Sequence, residues 1–462
     1  MKKMFEIPGF FETRPQRILE ICEYLSPIMN EIHGTQYSFR FWASLLKDYA
    51  KNCVNRENMM SDKVIDSNPA LLSINGWNLP TIKDEWRTSL RHYLKIFITD
   101  NQSIVNLHKK ISKYDNICIG TRSKILEEYG FGISCSVHSP FSLGYFGREK
   151  RRIANKLAHK ENSVFYHNLI RHIPRYYVEH FGSLIKKIKL IDPKKKCFYA
   201  EHITYFTQLV IALYVEHGAK FYKVQVGGYV GETMESISPE NYMDIDKHLT
   251  YGWKIHEKDE PSKAYRLEEF KKNYDASRQI DPYDLSIIYN QISTKQKKIY
   301  YSGVSRKFFQ KIDQTKFPSI LLRPRGFTKK IDNSGELAFL YPPEGILIGR
   351  GMKPMAEIVK NTRVIVHLNH PSTNFLECVY VDHPVIARLT NKNPTEIIKP
   401  FYQFFLESKV MHKNIDSLVA HLNEVNIEKW WNEVIRQPMY KQFKNQFARS
   451  VLEVTPQIDF QN

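Results

Sequence analysis

The second half of the chain alternates short apolar strands with helices, and this alternation limits the possible folds more than any other feature. From Asp284 onward, the apolar runs are DLSIIYNQ, SILLRP, AFLYP, ILIG, RVIVHL and PVIA, with helical patterns at SRKFFQKI, MAEIVKN and NFLECVY. Strands that are apolar at nearly every position are typical of parallel sheets covered by helices on both faces. The pattern therefore predicts a Rossmann-like domain over residues 284–430, whose ligands bind beyond the carboxyl ends of the strands.

The first half is less regular but favours the same class of fold. Residues 14–60 carry apolar side chains at three- and four-residue spacing, which predicts helices. Residues 202–232 predict a helix, a turn at Gly218, the strand FYKVQV and a glycine-rich loop. The charged, proline-punctuated passage that begins at His248 favours a link between domains.

A chain of 462 residues is too long for one ordinary hydrophobic core. We therefore expect an α/β protein with two Rossmann-like domains. The first covers residues 1–283 and includes additional helices and the link. The second covers residues 284–430, and a C-terminal helix and tail, 431–462, could cross back to the first domain.

The chain is strongly basic, with 67 Lys and Arg residues against 49 Asp and Glu, a formal net charge of +18. Such a field attracts anions, and nucleic acid, anionic lipid and the phosphates of a nucleotide are all compatible with it. The basic clusters are REKRR (148–152), KKIK (186–189) and PKKK (193–196). Each of them can equally be an ordinary solvated face.

Cysteine spacing and the apolar runs indicate the compartment. The six cysteines lie far apart without a CxxC pair, which favours neither a zinc site nor a disulfide framework and fits a reducing compartment. The stretch MKKMFEIPGFFETRPQ lacks the unbroken apolar core of a signal peptide, and no run reaches about 18 apolar residues. We expect a cytoplasmic protein, whose charge would allow peripheral contact with the anionic inner face of the plasma membrane.

The polar turn NHPST (369–373) follows the strand RVIVHL and opens a helix. The first amides of a helix are unpaired donors at the positive end of its dipole, so His370, Ser372 and Thr373 lie where a phosphate could bind. Glu377, one helical turn after Thr373, could accept hydrogen bonds from ribose hydroxyls. The alternative is an ordinary helix cap followed by a surface carboxylate.

A second candidate loop leaves the strand SILLRP, where Arg323 and Arg325 precede Gly326. An arginine fork matches a phosphate or a carboxylate bidentately, so either residue could bind a diphosphate or an acidic sugar. An ion pair between domains would explain the same residues.

The third candidate is the segment QVGGYVGE (225–232), called here the glycine loop. Gly227 and Gly228, followed by Tyr229, would let the backbone approach a ligand closely. The loop has neither the Walker lysine nor the GxGxxG spacing, so it indicates neither an ATPase nor a dehydrogenase. The sequence also contains no HExxH, no GxSxG and no carboxylate cluster of metal-binding type. We therefore predict no metal and no cofactor.

The block HGTQYSFRFW (33–42) combines polar and aromatic residues, including His33, Arg40 and Trp42. It could line a site, or it could be a turn between two helices with aromatic packing.

Five blocks of the sequence together resemble a known family. They are HGTQYSFRFW, VGGYVGE with DIDKHLTYGWK, LLRPRG, VHLNHPSTNFLECVYVDHPVIA, and EKWWNEV with FKNQFAR. In this order, over about residues 28–450, the blocks resemble an uncharacterised family of bacterial transferases linked to surface-carbohydrate loci, first catalogued in spirochaetes. The resemblance implies a two-domain glycosyltransferase of the GT-B type, with facing Rossmann-like domains and a donor nucleotide held mainly by the second.

The resemblance also implies roles for individual residues. The family's histidine and arginine correspond to His33 and Arg40, and its aspartate and tryptophan to Asp246 and Trp253. Its glycine loop corresponds to Gly227, Gly228 and Gly231, its strand-end arginine to Arg323, and its donor turn to Ser372, Thr373 and Glu377. Where the family is expected to have a histidine before the glycines, this chain has Val226, and the stretch ahead of His33 is short.

These observations predict a metal-independent glycosyltransferase that moves a sugar from a nucleotide sugar to a surface-polysaccharide or lipid-linked acceptor. His33, whose residue type titrates near neutral pH, is the first candidate for the catalytic base, and Asp246 is the second. Arg40, Trp42, Tyr229 and Trp253 would line the acceptor side. Alternatives are a CDP-linked polyol-phosphate transferase, a basic nucleic-acid-binding protein and an inactive scaffold; we expect no nucleic-acid partner.

Overall fold

In this computed structural model, the described residues are 14–55, 57, 105–119, 131–134, 148–200, 205–225, 227–228, 230–279, 283–289, 295–324, 347–348, 354–368, 373–390 and 393–449. The predicted strand AFLYP (338–342) lies outside them.

The elements of the first half alternate helices with short strands. The helices are α1 (Arg14–His33), α2 (Phe39–Val54), α3 (105–113), α4 (Arg148–His159), α5 (Val164–Arg171), α6 (Arg175–Val178), α7 (Phe181–Ile185), α8 (Tyr205–Glu216) and α9 (Tyr265–Ala276). The strands are β1 (Asn116–Ile119), β2 (Gly132–Ser134), β3 (Cys197–Ala200), β4 (Lys220–Val224), β5 (Lys247–Thr250) and β6 (Asp259–Pro261).

The second half continues the alternation. Its strands are β7 (Tyr283–Tyr289), β8 (Ile320–Pro324), β9 (Leu347–Ile348), β10 (Thr362–His367), β11 (Val385–Arg388) and β12 (Met411–His412). Its helices are α10 (Lys295–Lys311), α11 (Met355–Lys360), α12 (Thr373–Tyr380), α13 (Lys399–Glu407), α14 (Ile415–Glu424), α15 (Ile427–Arg436) and α16 (Pro438–Phe447).

The strands form two six-stranded sheets among the described residues. The first has the order β2-β1-β3-β4-β5-β6 and the second the order β12-β11-β10-β7-β8-β9. In the second sheet, the five strand pairs are all parallel. Every residue of β11 and five of the six residues of β10 are buried, as expected for strands with helices on both faces. The predicted α/β class with two Rossmann-like sheets is confirmed, whereas a cleft between two facing domains stays a prediction.

The order of the second sheet identifies where a ligand would bind. Taken from β9 through β8 and β7 to β10, β11 and β12, the strands follow the order 3-2-1-4-5-6 of doubly wound nucleotide-binding folds. The chain first adds strands on one side of β7 and then continues on the other side from β10. In such a strand order, the usual ligand site lies beyond the carboxyl ends of the two strands where the order reverses, which here are β7 and β10.

The chain divides into two compact units. The first consists of residues 1–224 and 238–248, and the second of residues 225–237 and 249–462. The last transition between the units, at residues 248/249, comes earlier in the chain than the expected boundary between residues 283 and 284. The difference arises because residues 249–283 are not an open link: they form β6 and α9, and their side chains Trp253, Leu267 and Phe270 belong to the second hydrophobic core.

The C-terminal helices also belong to the second unit. Side chains of α15 and α16, including Trp431, Tyr440 and Phe443, are buried in the same core as the second sheet. Full burial of one such large apolar side chain contributes roughly 1.5–3 kcal/mol, so these helices add substantially to this core.

The three basic clusters differ in their surroundings. Arg151 of REKRR is ion-paired with Glu179 at 2.9 Å and donates to the carbonyl oxygens of Arg171 and Ile173, so it is part of the packing of the first unit. The lysines of KKIK and PKKK lie mostly exposed. Over the parts of the chain that the structure describes, no helix has both the length and the apolar character to cross a membrane.

Candidate functional site

Helix α12 begins at the switch point of the second sheet, directly after the loop that follows β10. Thr373 is its first residue, and this N-terminus lies at the carboxyl end of a buried parallel strand. The first amides of α12 therefore offer donors at the edge of the sheet where α/β proteins bind ligands. The sequence predicted this placement from the pattern RVIVHL followed by a polar turn.

The glycine loop lies against this helix start although it is 145 residues away in sequence. The amide of Gly228 donates a hydrogen bond to Thr373 Oγ1 at 3.3 Å. At Gly227, an added Cβ would lie 2.5 Å from the same hydroxyl oxygen, so a larger residue requires a shift of the loop or of the Thr373 side chain. Two of the three predicted phosphate-binding segments thus meet at one point. Together they supply backbone amides, a hydroxyl group and a helix N-terminus, the groups that bind phosphate oxygens.

Gln225 fixes the conformation of the glycine loop from beneath. Its Oε1 accepts hydrogen bonds from the Tyr251 amide at 2.8 Å and from Trp253 Nε1 at 2.9 Å. Its Nε2 donates to the carbonyl oxygen of Gly227 at 2.8 Å and to that of Val230 at 3.4 Å. The side chain is 2% exposed, and every donor and both acceptor positions of its amide are used. Sequence analysis missed this residue, because a glutamine near the end of a strand carries no distinctive signal.

The second half of the glycine loop is held by close packing. Gly231 has a φ of +86° and lies on the ring of Trp253, where a Cβ would overlap the indole. Both conditions require glycine at this position. Trp253 itself is fully buried, so its side chain supports the loop and does not line a surface.

The loop then packs on the segment before α13. Thr395 Oγ1 donates to the Gly231 carbonyl at 2.7 Å, and the Thr395 amide donates to the Glu232 carbonyl at 3.1 Å. The Tyr402 hydroxyl donates to Glu232 Oε2 at 3.0 Å. Burial raises the pKa of Glu232 to about 8, and the hydrogen bond from Tyr402 offsets only part of this effect. At neutral pH, Glu232 is therefore mostly an uncharged acid inside the protein.

Glu377, the predicted ribose ligand, lies on α12 one turn after Thr373. Its side chain is buried, and Asn374 Nδ2 donates to Glu377 Oε2 at 2.5 Å. This contact orients the carboxylate near the positive end of α12, where a negative charge is favourable. The structure thus places Glu377 beside the candidate phosphate site, and its ribose contact stays a prediction.

Arg323 lies at the carboxyl end of β8, where its Nη1 contacts Met355 Sδ of α11 at 3.2 Å. It is paired in register with Ile288 of β7, which is in turn paired with His367 of β10. Residues paired in this way project from the same face, so Arg323 and His367 flank the switch point on one side of the sheet.

His367 was not singled out from the sequence, although it is the last residue of β10. It is fully buried, and its ring centroid lies 6.5 Å from that of Phe375 in α12. A signal was available: it is the polar residue that follows the apolar run Val364–Val366 and lies two residues before Asn369, where the polar turn begins.

Four predicted site residues lie outside the described part of the chain. They are Tyr229, Arg325, His370 and Ser372, and Val226 lies outside it as well.

The candidate residues of the first unit lie in two separate groups. His33, the last residue of α1, contacts the Tyr177 carbonyl oxygen through Nε2 at 2.7 Å and packs on Trp42 and Phe181. Burial lowers the pKa of His33 to about 4, so its imidazole is neutral at physiological pH. Trp42 is fully buried and donates from Nε1 to Asn30 Oδ1 at 2.8 Å. His33 and Trp42 thus pack as expected for a turn between two helices, which was the alternative interpretation of the block HGTQYSFRFW.

Arg40 and Asp246 form an ion pair at 2.8 Å in the first unit. Asp246 also accepts a hydrogen bond from the amide of Phe221 at 2.8 Å, and its own amide donates to the Phe221 carbonyl. Phe221 is the second residue of β4, so Asp246 lies near the amino-terminal end of that strand. Ligand sites of parallel sheets form at the opposite ends, so this position favours a structural role for Asp246; the catalytic role stays a prediction.

The described residues contain no group of three or more His, Cys, Asp or Glu side chains that could hold a metal ion.

Comparison with known proteins places the chain among transferases. The sequence profile of a family described as "LIC12162 family transferase" matches residues 61–459. The chain belongs to this family. The match covers most of the chain of this LIC12162 family transferase, including the glycine loop and the start of α12, and it begins after α1 and α2. A search of curated proteins finds no match.

Among solved structures, this LIC12162 family transferase is similar to several proteins at low sequence identity. MnaA from S. aureus, solved with UDP, is 12% identical with a TM-score of 0.40, covering 69% of this chain and 89% of that chain. The UDP-GlcNAc 2-epimerase from Neisseria meningitidis, bound to UDP-GlcNAc, is 9% identical with a TM-score of 0.39, covering 71% and 96%. TarM is 14% identical with a TM-score of 0.30, covering 58% and 53%. These are distant likenesses, and the fold assignment rests on the strand order given above.

Proposed function

We propose that this family member is a glycosyltransferase that binds the diphosphate of a nucleotide sugar where the glycine loop meets the start of α12. The observation that carries the proposal is the contact between Gly228 and Thr373, together with the lack of space for a Cβ at Gly227. Membership in a transferase family supports the reaction class. The contact uses the Gly228 amide as a donor to the Thr373 oxygen, and it holds the Thr373 hydroxyl and the N-terminus of α12 at the switch point of a nucleotide-binding strand order.

The reaction requires that the leaving nucleoside diphosphate be stabilised as its bond to the sugar carbon breaks. The acceptor hydroxyl oxygen forms the new bond to that carbon, and a base takes the hydroxyl proton. The α12 amides, the Thr373 hydroxyl and Arg323 are the groups proposed to meet the charge developing on the phosphate. Glu377 is proposed to bind the ribose, and His33 is the first proposed base. Asp246 was the second candidate, but its position near the amino-terminal end of β4 favours a structural role.

We propose that these donors replace a metal ion at the diphosphate. Transfer activity should then persist in the presence of EDTA, and loss of activity that is restored by a divalent cation would contradict this part of the proposal.

The proposed acceptor is a surface polysaccharide or a lipid-linked glycan, and the proposed compartment is the cytoplasm. The five described cysteines, Cys22, Cys53, Cys118, Cys197 and Cys378, are free thiols, which is compatible with that compartment.

The first test is a thermal-shift screen with UDP, GDP, CDP and CMP. A nucleotide present at 100 times its Kd should raise Tm by about 5–10 °C, because selective binding to the folded state stabilises it by mass action. Thr373→Val, which removes the hydroxyl but keeps the shape, should reduce this shift, and Thr373→Ser should retain it. No shift with any nucleotide, or an equal shift in Thr373→Val, would contradict the proposed site.

The second test is a transfer assay with the nucleotide sugar that the screen selects. The product mass distinguishes a glycoside from the phosphodiester that a polyol-phosphate transferase would make. A phosphodiester product would keep the nucleotide site but change the reaction.

A further inference from the structure

A continuous lysine-rich surface lies at one end of the first sheet and has no part in the proposed donor site. It is formed by residues 105–115, 186–196 and 216–220, here called the lysine edge. These segments carry ten lysines and three carboxylates, Asp115, Asp192 and Glu216, and they contain no arginine.

The register of the first sheet brings these segments together. Asn116 of β1 pairs with Cys197 of β3, and Cys197 pairs with Lys220 of β4. The three strands therefore begin side by side, and the residues before each strand converge at the amino-terminal end of the sheet. This is the end opposite to the one where ligands of parallel sheets bind.

Direct contacts confirm that the segments are neighbours. The ring of His108 in α3 contacts the Lys187 carbonyl through Nε2 at 3.2 Å. Lys196 Nζ donates to the Tyr114 carbonyl at 3.0 Å and pairs with Asp115 at 2.8 Å. Burial lowers the pKa of His108, and the nearby Lys189 charge lowers it further, as expected beside an accumulation of positive charge.

Most of the lysines of this surface point to solvent. The exposed lysines are Lys109, Lys113, Lys186, Lys189, Lys194, Lys195 and Lys220. Of the three carboxylates, Asp115 is neutralised by Lys196, and Glu216 accepts hydrogen bonds from the amide and hydroxyl of Ser38. The local charge is therefore strongly positive, and like charges held this close together are compensated best by an extended anionic surface.

Two exposed aliphatic side chains accompany the lysines. Val105 is 64% exposed at the beginning of the described part of α3, and Leu190 is 37% exposed between the two lysine clusters. Aliphatic side chains add nothing to phosphate binding in nucleic acid, whereas beside an acyl layer they gain free energy by leaving water. Tyr114 directly follows α3. The Nζ atoms of Lys110 and Lys113 lie 5.6 and 5.3 Å from the centroid of its ring, so the ring already has cationic neighbours.

We propose that the lysine edge docks this protein on an anionic lipid bilayer, with its lysines at the headgroups and with Leu190 and Val105 in the interfacial layer. The combination of lysine without arginine and of exposed aliphatic side chains favours a bilayer over RNA or DNA, which are bound through arginine forks and aromatic stacking. The proposal goes beyond the glycosyl-transfer function and does not depend on it.

The test is sedimentation of the full chain with phosphatidylcholine vesicles, with and without about 30% phosphatidylglycerol, at about 0.1 M and 1 M salt. We expect binding only to the anionic vesicles and only at low salt, because ions screen the lysine charges at 1 M. The fourfold variant Lys186→Gln, Lys189→Gln, Lys194→Gln and Lys195→Gln should weaken the partition at least about 100-fold, since each lysine near an anionic surface contributes roughly fivefold.

The matched control removes the same charge elsewhere. Lys254→Gln, Lys413→Gln, Lys429→Gln and Lys441→Gln alter four exposed lysines of the second unit. This variant should bind vesicles within about threefold of wild type, because it removes the same charge but leaves every lysine of the lysine edge in place. Equal loss in both fourfold variants would mean that net charge alone drives binding and would overturn the proposal.

The aliphatic part of the surface has its own pair of variants. Leu190→Ser should lower the partition by about five- to tenfold, whereas Ile255→Ser, at the same 37% exposure in the second unit, should not. Tight, salt-sensitive binding to an oligonucleotide without any binding to vesicles would assign the surface to nucleic acid and overturn the proposal. So would undiminished vesicle binding by the fourfold lysine-edge variant.

Discussion

The Arg40–Asp246 pair of the first unit and the Gly228–Thr373 contact of the second unit join residues that the sequence had marked as functional, but they differ in what remains available to a ligand. In the first, a guanidinium and a carboxylate neutralise each other near the beginning of a strand. In the second, a backbone amide and a hydroxyl meet at a helix N-terminus, where the remaining first-turn amides have no partner within the helix. Position relative to the strand ends is therefore a better guide to a candidate site than residue type is.

The largest expected effect is that of Gly227→Ala. The new Cβ would lie 2.5 Å from Thr373 Oγ1, so the loop or the Thr373 side chain must shift, and a misplacement of about 1 Å can reduce the rate about 100-fold. A transfer assay measures this effect. The control is Gly182→Ala in the first unit, where an added Cβ meets nothing within 4 Å and activity should stay near wild type.

The double variant Gly227→Ala/Thr373→Ala sharpens this prediction. Removing the Thr373 hydroxyl removes the overlap, so the thermal stability lost in Gly227→Ala should be largely restored while nucleotide binding remains weak. Stability that stays low in the double variant would show that the two segments do not meet as described.

The second effect is expected at Gln225. Its side-chain oxygen binds groups of the core, whereas its side-chain nitrogen binds the glycine loop, so a substitution can weaken the loop contacts alone. Gln225→Glu keeps an acceptor for the Tyr251 amide and Trp253 Nε1 but loses the donors to the carbonyl oxygens of Gly227 and Val230. We expect a folded enzyme whose KM for the donor rises about tenfold with kcat changed much less, because the loop is proposed to position the diphosphate. The exposed Gln403→Glu is the matched control. An unchanged KM in Gln225→Glu would show that the loop does not bind the donor.

The third effect is on the pH dependence of stability and arises from Glu232. Burial raises the pKa of Glu232 from 4.5 to about 8, so the fold favours the protonated acid. Its contribution to stability is fully present below pH 4.5 and is lost as the pH rises through 8. Between these limits, the Tm of wild type should fall by about 5 °C or more relative to that of Glu232→Gln, measured by thermal denaturation.

The exposed Glu424→Gln should follow the wild-type curve in that experiment. Parallel curves for wild type and Glu232→Gln would mean that the carboxyl group is ionised inside the protein, and the account of its burial would be wrong.

The smallest effect is expected at the first-unit pair. Asp246→Asn should lower stability by about 1 kcal/mol, a shift in Tm of about 2–4 °C, because the pair is one-third exposed and its charges are partly screened. Transfer activity should stay within about threefold of wild type. A loss of 100-fold or more with unchanged stability would support Asp246 as the catalytic base and would contradict the structural role inferred from its position.

Much of the second unit could be predicted from the sequence, because its strands are apolar throughout and its turns are marked by polar residues. The strand RVIVHL, the helix from Thr373 and the position of Glu377 one turn later all follow from local pattern. The order of the strands does not, since pairing between β7 and β10 joins segments far apart in sequence. The contact between Gly228 and Thr373 could not be predicted either, because it also joins segments that are far apart in sequence.

The segment after His248 shows a second reason for failure. Tyr265, Leu267 and Phe270 are buried, but charged residues separate them, so the passage resembled a link although it forms α9 and packs into a core. Gln225 was missed for a third reason. Its four side-chain hydrogen bonds depend on the geometry of a loop that no local rule describes.

The chain passes between its two units at residues 224/225, 237/238 and 248/249. No single truncation point can therefore yield the second unit intact: a gene fragment beginning at Leu249 would encode the sheet and Thr373 but omit Gln225, Gly227 and Gly228. If the second unit binds the nucleotide as proposed, a fragment that begins at Leu249 should fail to bind it unless the thirteen-residue segment 225–237 is supplied in trans or fused in a permuted order. Any division of this transferase into fragments must therefore allow for a second unit that is built from two separate stretches of the chain.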